Sequence, residues 1–236
     1  MKIISSTGGS GSSFVADKFA ESKWIVCLRP DGGHQKATHT AKQIYDERTS
    51  AFFRTGLTEE TTQREMFDES YQNLNLLPED IKNRTMLLCM SWGGLGFLNN
   101  VKEKTIFLVR DPIFAFNSYS GGGWRKEGGA RRIKYVGASG PNDKKWIDLW
   151  LNEFAFWKQG AINALESATN GTGELVRYHN FVEDWQRLDG VPPIHKDFNS
   201  KDDASKLKGF LTIDTIKYIR EQTNDVWKEI KEYNNV

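Results

Sequence analysis

The sequence predicts an α/β domain in which a central parallel sheet is flanked by helices, and three features lead to this fold class. Residues 105–109 form a continuous apolar run that ends abruptly at an arginine and a proline. Such a run is typical of a parallel strand buried on both faces, because a half-exposed strand would alternate. A glycine- and serine-rich turn at 7–13 joins a short first strand directly to a helix. Apolar residues recur at helical spacing elsewhere and predict the helices that cover such a sheet.

The individual elements follow from the same patterns along the chain. Short apolar runs predict strands at 2–6, 24–28, 85–90, 105–109 and 174–178. Helical spacing predicts helices at 12–21, 40–55, 58–73, 144–168 and 212–232. Within 144–168, Trp146, Trp150, Phe154 and Trp157 follow one another at spacings of four, four and three, which indicates core packing. With 236 residues, 38% of them hydrophobic, the chain is expected to form one domain over 1–236.

The first candidate site is the turn between the first strand and the first helix, Thr7-Gly8-Gly9-Ser10-Gly11-Ser12-Ser13. Its glycines allow the backbone N–H groups to approach a ligand, and the start of the helix favours a phosphate. The turn lacks the Gly-Lys-Ser/Thr ending of the ATP or GTP P-loop. It also departs from the dinucleotide fingerprint, because Phe14 stands where the third glycine is required. A flexible connecting loop is the alternative interpretation.

The second candidate site is Arg110-Asp111-Pro112, followed by Ser118 eight residues after the arginine. Open α/β sheets bind ligands at the carboxyl ends of their strands. An arginine there offers a planar fork of donors suited to a phosphate, and Ser118, on the next helix, could reach the same anion. For the arginine alone, a surface salt bridge is the simpler interpretation, but a second anion site nearby favours phosphate binding.

Together the two motifs resemble the sulfotransferase family that uses PAPS, 3′-phosphoadenosine 5′-phosphosulfate. Residues 175–182 are similar to the family's late strand, and Leu211 to Tyr233 to its closing helices. The resemblance implies a P-loop-like three-layer fold, PAPS as donor, PAP as product and no metal. It implies that Arg110 and Ser118 hold the 3′-phosphate. It implies that the turn holds the 5′-phosphosulfate through Thr7, Gly8, Gly9, Ser10, Gly11, Ser12 and Ser13.

The chain departs from the family pattern at two places. The family usually has a lysine or arginine just before the Ser-Gly pair, where this chain has Gly9, and the acidic pair after the late strand is His179-Asn180 here. Charge developing on the leaving phosphate still needs a cation. The candidates for that role are Lys18, Arg29 and Lys36.

A general base must take the proton of the acceptor, and the loop after the second strand supplies the candidates. Its strand end faces the same crevice, and family members use a histidine or glutamate from this neighbourhood. We favour His34, then His39, then Asp31, because the unperturbed pKa of histidine suits a base near neutral pH. For each of them a solvated loop residue is the alternative.

The predicted function is transfer of a sulfuryl group from PAPS to a hydroxyl or amine of a small-molecule or saccharide acceptor. A carbohydrate is favoured because the loops carry tryptophans and basic residues rather than an apolar lining. Segments 40–83 and 120–143 are expected to cover the acceptor side or act as a lid. The alternatives are a P-loop-type nucleotide or small-molecule kinase and a catalytically inactive PAP-binding protein.

Composition and charge indicate which partners, metal sites and cellular location to expect. The net charge of +1 gives no reason to expect nucleic acid or a membrane surface as a partner. Cys27 and Cys89 lie in predicted buried strands and are expected to be reduced, and no cluster has the spacing of a zinc site. Neither a signal peptide nor a membrane anchor is visible, so a cytoplasmic protein is expected. The oligomeric state has no sequence signature here.

Overall fold

The structure is a computed structural model that describes residues 1–27, 71–72, 74–90, 98, 101–122, 136–194, 202, 207 and 211–234. The predicted helix 40–55 and most of the predicted helix 58–73 lie outside the described residues. So do residues 123–135 of the predicted lid segment.

In the described part of the chain, five parallel strands form one sheet in the order β2-β3-β1-β4-β5. The strands are β1 Lys2–Ser6, β2 Ile25–Cys27, β3 Thr85–Met90, β4 Thr105–Val109 and β5 Gly173–Arg177. The α/β class and the parallel sheet predicted from the sequence are therefore confirmed. The predicted bounds of β1, β3 and β4 agree with the structure, and β5 begins and ends one residue earlier. The strand β2 begins one residue later than predicted, and its predicted last residue, Leu28, lies outside the described residues.

The central strands of the sheet are buried. Every residue of β4 is buried, as is every residue of β1 after Lys2. Helices cover both faces of such strands, which is why their sequences are apolar without alternation. In β3 the Cys89 thiol is free and buried, and burial raises its pKa. Cys89 is thus a core residue, as the sequence suggested.

The helices connect and cover these strands. They are α1 Ser12–Glu21, α2 Glu79–Lys82, α3 Pro112–Asn117, α4 Lys144–Leu149, α5 Trp157–Thr169, α6 Phe181–Gln186 and α7 Ile213–Glu232. Single π-helical turns span Ser118–Gly122 and Trp150–Phe154, and a short 3₁₀ turn spans Tyr178–Asn180. None of the helices in the described residues combines the length and the apolar character needed to cross a bilayer.

Helix α1 presents Val15 and Phe19 to the core, both fully buried. It ends in a Schellman-type turn, in which the amide of Trp24 donates to the carbonyl of Phe19 at 3.0 Å and Lys23 takes a left-handed conformation with φ of 63°. The rings of Phe19 and Trp24 meet edge to face with centroids 5.0 Å apart. This packing fixes the direction of α1 and therefore the position of its N-terminus at the sheet edge.

The predicted continuous helix 144–168 is wrong, because the structure breaks it after α4. A π-helical turn at Trp150–Phe154 is followed by Phe156 in a left-handed conformation with φ of 47°, which no continuing α-helix allows. The break orients two indoles toward different partners: Trp146 donates to the Ser120 hydroxyl at 3.1 Å, and Trp157 donates to the Arg110 carbonyl at 3.1 Å. The predicted core role of these tryptophans is confirmed, since both are fully buried.

A buried ion pair anchors the C-terminal part of the chain to β5. The Arg177 guanidinium donates to both carboxylate oxygens of Asp184, at 2.9 and 2.8 Å. The Arg177 amide also donates to Asp184 at 2.9 Å, and its Nη1 donates to the carbonyl of Tyr233 at 2.8 Å. One arginine thus ties together the end of β5, helix α6 and the end of α7.

We expect Asp184→Ala to lower the free energy of unfolding by about 3–5 kcal/mol, because it leaves the Arg177 charge buried without its partner. Glu174→Ala is the matched control, since its pair with Lys104 is exposed and should contribute about 1 kcal/mol or less. Urea unfolding followed by circular dichroism measures both. Losses of similar size in the two variants would contradict the anchoring role of Arg177.

Candidate functional site

The strand order places a crevice between the carboxyl ends of β1 and β4. The connection from β1 leads through α1 to β2 on one side of the sheet, whereas the connection from β4 leads to β5 on the other. Chains leaving two adjacent strands in opposite directions open a crevice at which α/β sheets bind ligands. The glycine-rich turn follows β1 and Arg110 follows β4, so the two predicted anion sites lie at the same crevice.

The turn after β1 is held in a defined conformation. The amide of Thr7 donates to the carbonyl of Leu108 at 3.3 Å, which extends the pairing of the two strands beyond the end of β1. The amide of Ser10 donates back to the carbonyl of Thr7 at 3.1 Å, and the hydroxyls of Thr7 and Ser10 lie 2.6 Å apart. Gly9 and Gly11 adopt φ of 87° and 90°, a conformation that favours glycine.

Two of the glycines are also required by close packing. A Cβ atom on Gly9 would lie 2.3 Å from the carbonyl oxygen of Ala115 in α3. A Cβ atom on Gly8 would lie 2.7 Å from the ring of Tyr119. No side chain, cationic or otherwise, fits at position 9 without displacing backbone.

Helix α1 begins at the turn, so the positive end of its dipole lies there. Gly11 is the N-cap residue and has no side chain with which to cap the helix, and the first turn carries no acidic residue. Ser10 and Ser12 are buried beside it. An anion at this helix start would meet the backbone N–H groups and the positive end of the helix dipole.

Arg110 brings a positive charge to the site, and it is only 8% exposed. Its Nη1 donates to the carbonyl of Gly9 at 2.9 Å, and its guanidinium lies over the ring of Tyr178, 4.2 Å from the centroid. Its Nε and Nη2 both donate to one carboxylate oxygen of Asp202, at 2.9 and 2.5 Å. The structure thus brings Arg110 to the glycine-rich turn, with a carboxylate on its outer edge.

The rest of the Arg-Asp-Pro motif starts the next helix. Asp111 is the N-cap residue of α3 and accepts a hydrogen bond from the amide of Ile113 at 2.9 Å, and Pro112 occupies the first helical position. Asp111 also pairs with Arg220 of α7 at 2.6 Å. The motif therefore combines one residue that faces the crevice with two that fix the helix behind it.

The sequence did not indicate the roles of Tyr178 and Asp202. Tyr178 directly follows β5, the neighbour of β4, so the strand-end argument that identified Arg110 could have found it. It also lies against the turn, because a Cβ atom on Gly11 would come 3.0 Å from its ring. Asp202 stands in a polar stretch that reads as surface, yet its side chain is only 10% exposed. No local signal marks it, since it lies 92 residues after Arg110.

Two other predicted residues lie further from this contact. Ser118 follows the end of α3 and is exposed, and among the described residues it makes no hydrogen bond with Arg110. Its contact with a bound anion stays a prediction. Lys18 lies in the last turn of α1, where it pairs with Glu21 at 2.7 Å. Lys18 therefore lies in the C-terminal part of α1, at the other end of the helix from the turn.

The candidate catalytic residues Asp31, His34, Lys36 and His39, like the candidate cation Arg29, lie outside the described residues. A different histidine, His179, follows Tyr178 at the edge of the sheet. Burial lowers the pKa of its imidazole, and the nearby Arg177 charge lowers it further. The ring of His179 packs edge-on against Trp227 with centroids 5.5 Å apart. The lowered pKa favours the uncharged imidazole at neutral pH.

In the part of the chain that the structure describes, no group of three or more histidine, cysteine, aspartate or glutamate side chains is placed to hold a metal ion. Comparison of the chain with protein-family models, with curated proteins and with solved structures found no match. The resemblance to the PAPS-dependent sulfotransferases therefore stays a prediction from the sequence motifs.

We expect Gly9→Ala to destabilise the protein far more than Gly171→Ala. Gly171 also has a left-handed φ, of 70°, but nothing lies within 4 Å of its added Cβ, so it should lose only about 1–2 kcal/mol. Gly9→Ala adds the clash with the Ala115 carbonyl and should lose roughly 3 kcal/mol or more. Urea unfolding of the two variants gives the comparison. Equal losses would mean that the turn can move away from α3 at little cost.

Proposed function

We propose that this chain is a PAPS-dependent sulfotransferase with a P-loop-like phosphosulfate site. One observation carries the proposal: Arg110 and the glycine-rich turn contact each other directly, Nη1 to the Gly9 carbonyl, at a strand-end crevice. A ligand with two phosphate groups separated by a ribose suits two adjacent anion sites. PAPS carries its groups in that way, with a phosphosulfate on the 5′ oxygen and a phosphate on the 3′ oxygen.

The residues of the turn fit the 5′ end of such a ligand. Gly9 and Gly11 let the turn take its left-handed conformations, and the first turn of α1, capped by a glycine, carries no acidic residue that would repel a phosphosulfate. Arg110 fits the 3′-phosphate, because a buried guanidinium with a planar edge of donors binds phosphate through charge-assisted hydrogen bonds. The carboxylate of Asp202 now lies on that edge.

The reaction requires positioning and charge stabilisation more than covalent work by the protein. An oxygen or nitrogen of the acceptor attacks the sulfur of PAPS. The bond between that sulfur and the bridging oxygen breaks, and the electron pair of the bond leaves with the 5′-phosphate of PAP. In this proposal the start of α1 stabilises the new negative charge, and Lys36 or Arg29 is the candidate for an added cation.

The proton released by the acceptor must go to a base. His34 is the first candidate, followed by His39 and Asp31, and the acceptor is expected to be a carbohydrate hydroxyl or amine. The kinase alternative requires a lysine at the end of the turn, where Ser12 and Ser13 stand. A PAP-binding protein without activity is the other alternative. Such a protein would not need the cation that is usual just before the Ser-Gly pair, and the close approach of Ala115 excludes a cation from position 9.

We expect PAP to bind the wild-type protein about 100-fold or more tightly than 5′-AMP, and Arg110→Ala to abolish most of that preference, because charge-assisted phosphate contacts contribute a few kcal/mol. Calorimetric titration with PAP, 5′-AMP and ATP measures this. Arg220→Ala is the matched control, since it removes another aspartate-paired arginine outside the crevice. Equal affinity for PAP and AMP, or a preference for ATP, would exclude the sulfotransferase function.

A second measurement separates the enzyme from the inactive PAP-binding protein. We expect one of His34→Ala, His39→Ala and Asp31→Asn to slow sulfuryl transfer by about 10²- to 10⁴-fold, the usual contribution of a general base, with PAP affinity unchanged. Transfer of radiolabelled sulfate from PAPS to a panel of saccharides and simple phenols provides the assay. Full PAP binding with no transfer in the wild type, or no variant slowed beyond tenfold, would contradict this choice of base.

A further inference from the structure

The outer edge of the Arg110 guanidinium is occupied by a side chain from far along the chain. Nε and Nη2, the two donors of that edge, both point to the same carboxylate oxygen of Asp202. The side chains of Arg110 and Asp202 are each only 10% exposed. A carboxylate and a phosphate use the same planar fork of donors, so only one of them can hold this edge at a time.

The guanidinium does not depend on Asp202 alone for its position. The Gly9 carbonyl accepts from its other side at 2.9 Å, and the ring of Tyr178 supports its face. The backbone of Arg110 is held by the indole of Trp157, which donates to its carbonyl. An anion could therefore replace the carboxylate while the guanidinium keeps its other contacts.

We propose that Asp202 is a built-in competitor for the 3′-phosphate of the nucleotide, and that its carboxylate leaves the Arg110 fork when PAPS or PAP binds. This inference rests on the proposed function and specifies how the same site controls affinity. A buried arginine needs an anionic partner at all times, and Asp202 serves as that partner when no phosphate is present.

The competition has a selective consequence. A nucleotide without a 3′-phosphate, such as 5′-AMP, can bind the glycine-rich turn and leave the contact between Arg110 and Asp202 intact. PAP and PAPS must break that contact, so Asp202 weakens the binding of these two ligands only. In a sulfotransferase that weakening would also assist release of PAP, because the carboxylate can return to the fork as the product leaves.

The alternative is that the contact between Arg110 and Asp202 persists when the nucleotide binds, and the experiment below distinguishes the two arrangements. If the ion pair stayed intact on binding, Asp202 could accept a hydrogen bond from a ribose hydroxyl, as carboxylates do in dinucleotide sites. In that case the site would recognise a free 3′-hydroxyl. Replacing Asp202 would then weaken AMP rather than strengthen PAP.

The experiment is calorimetric titration of PAP and 5′-AMP into four proteins: wild type, Asp202→Asn, Arg110→Ala and the double variant. Asparagine keeps the shape of the side chain but loses the charge that holds the fork. We expect Asp202→Asn to bind PAP about tenfold or more tightly than the wild type, since charge-assisted hydrogen bonds contribute at least that factor, while AMP changes by less than about twofold.

The double variant separates occupancy of the fork from simple charge repulsion. If Asp202 acts by occupying Arg110, the Asp202→Asn change should have no effect on PAP binding once Arg110 is alanine. A gain that persists in the Arg110→Ala background would come from repulsion alone and would overturn the inference. The double variant also removes the carboxylate that loses its Arg110 contact in the single Arg110→Ala variant, so it tests the site even where that single variant folds poorly.

The remaining outcomes distinguish the two proposals. If the wild type prefers PAP through Arg110 but Asp202→Asn leaves PAP affinity unchanged or lower, the competitor role is overturned and the sulfotransferase function stands. If the wild type does not prefer PAP over AMP, the proposed function fails, and the competitor role fails with it. A loss of AMP binding in Asp202→Asn would then assign Asp202 to a ribose hydroxyl.

Discussion

The Arg110 guanidinium is the group around which the candidate site is organised. It sits at the end of β4, donates to the carbonyl of Gly9 after β1 and lies over the ring of Tyr178 after β5. Three adjacent strand ends are therefore joined by one side chain. Because a charge this deeply buried is costly without a partner, the position also requires an anion beside it, whether Asp202 or a ligand. The need of a buried arginine for partners explains why these groups gather around Arg110, and it is also the reason to expect that the crevice binds phosphate.

Much of this arrangement could be predicted from the sequence, because it depends on local patterns. The runs that became β3 and β4 are mostly apolar and bounded by polar residues, and β1 ends directly at the glycine-rich turn, so the ends of all three strands were identified to the residue. Once the sheet is parallel, residues after neighbouring strands must share one edge, which places the glycine-rich turn and Arg110 together. The start of α1 at Ser12 followed from the glycine before it. These inferences need no knowledge of distant contacts.

Other features had no local signal. The spacing of four, four and three from Trp146 to Trp157 fits an unbroken helix as well as the broken one that the structure has. What distinguishes the broken helix is a pair of tertiary hydrogen bonds: one indole donates to Ser120 and the other to the Arg110 carbonyl. The position of Asp202 is the hardest to predict, since a single aspartate in a charged stretch is typical of an exposed loop. Its partner lies 92 residues away, and sequence alone gives no means of pairing them.

The absence of a cation from the turn follows from how closely the turn packs. With Gly9 in a left-handed conformation against the Ala115 carbonyl, the backbone at this position approaches α3 and presents its own carbonyl to Arg110. A lysine here would have to push the turn away from α3, and the hydrogen bond to Arg110 would be lost with that shift. A cation on the turn and the direct contact between the two candidate anion sites are therefore alternatives. This chain has the contact, so in the proposed reaction positive charge for a leaving phosphate would come from the start of α1 and from residues beyond the turn.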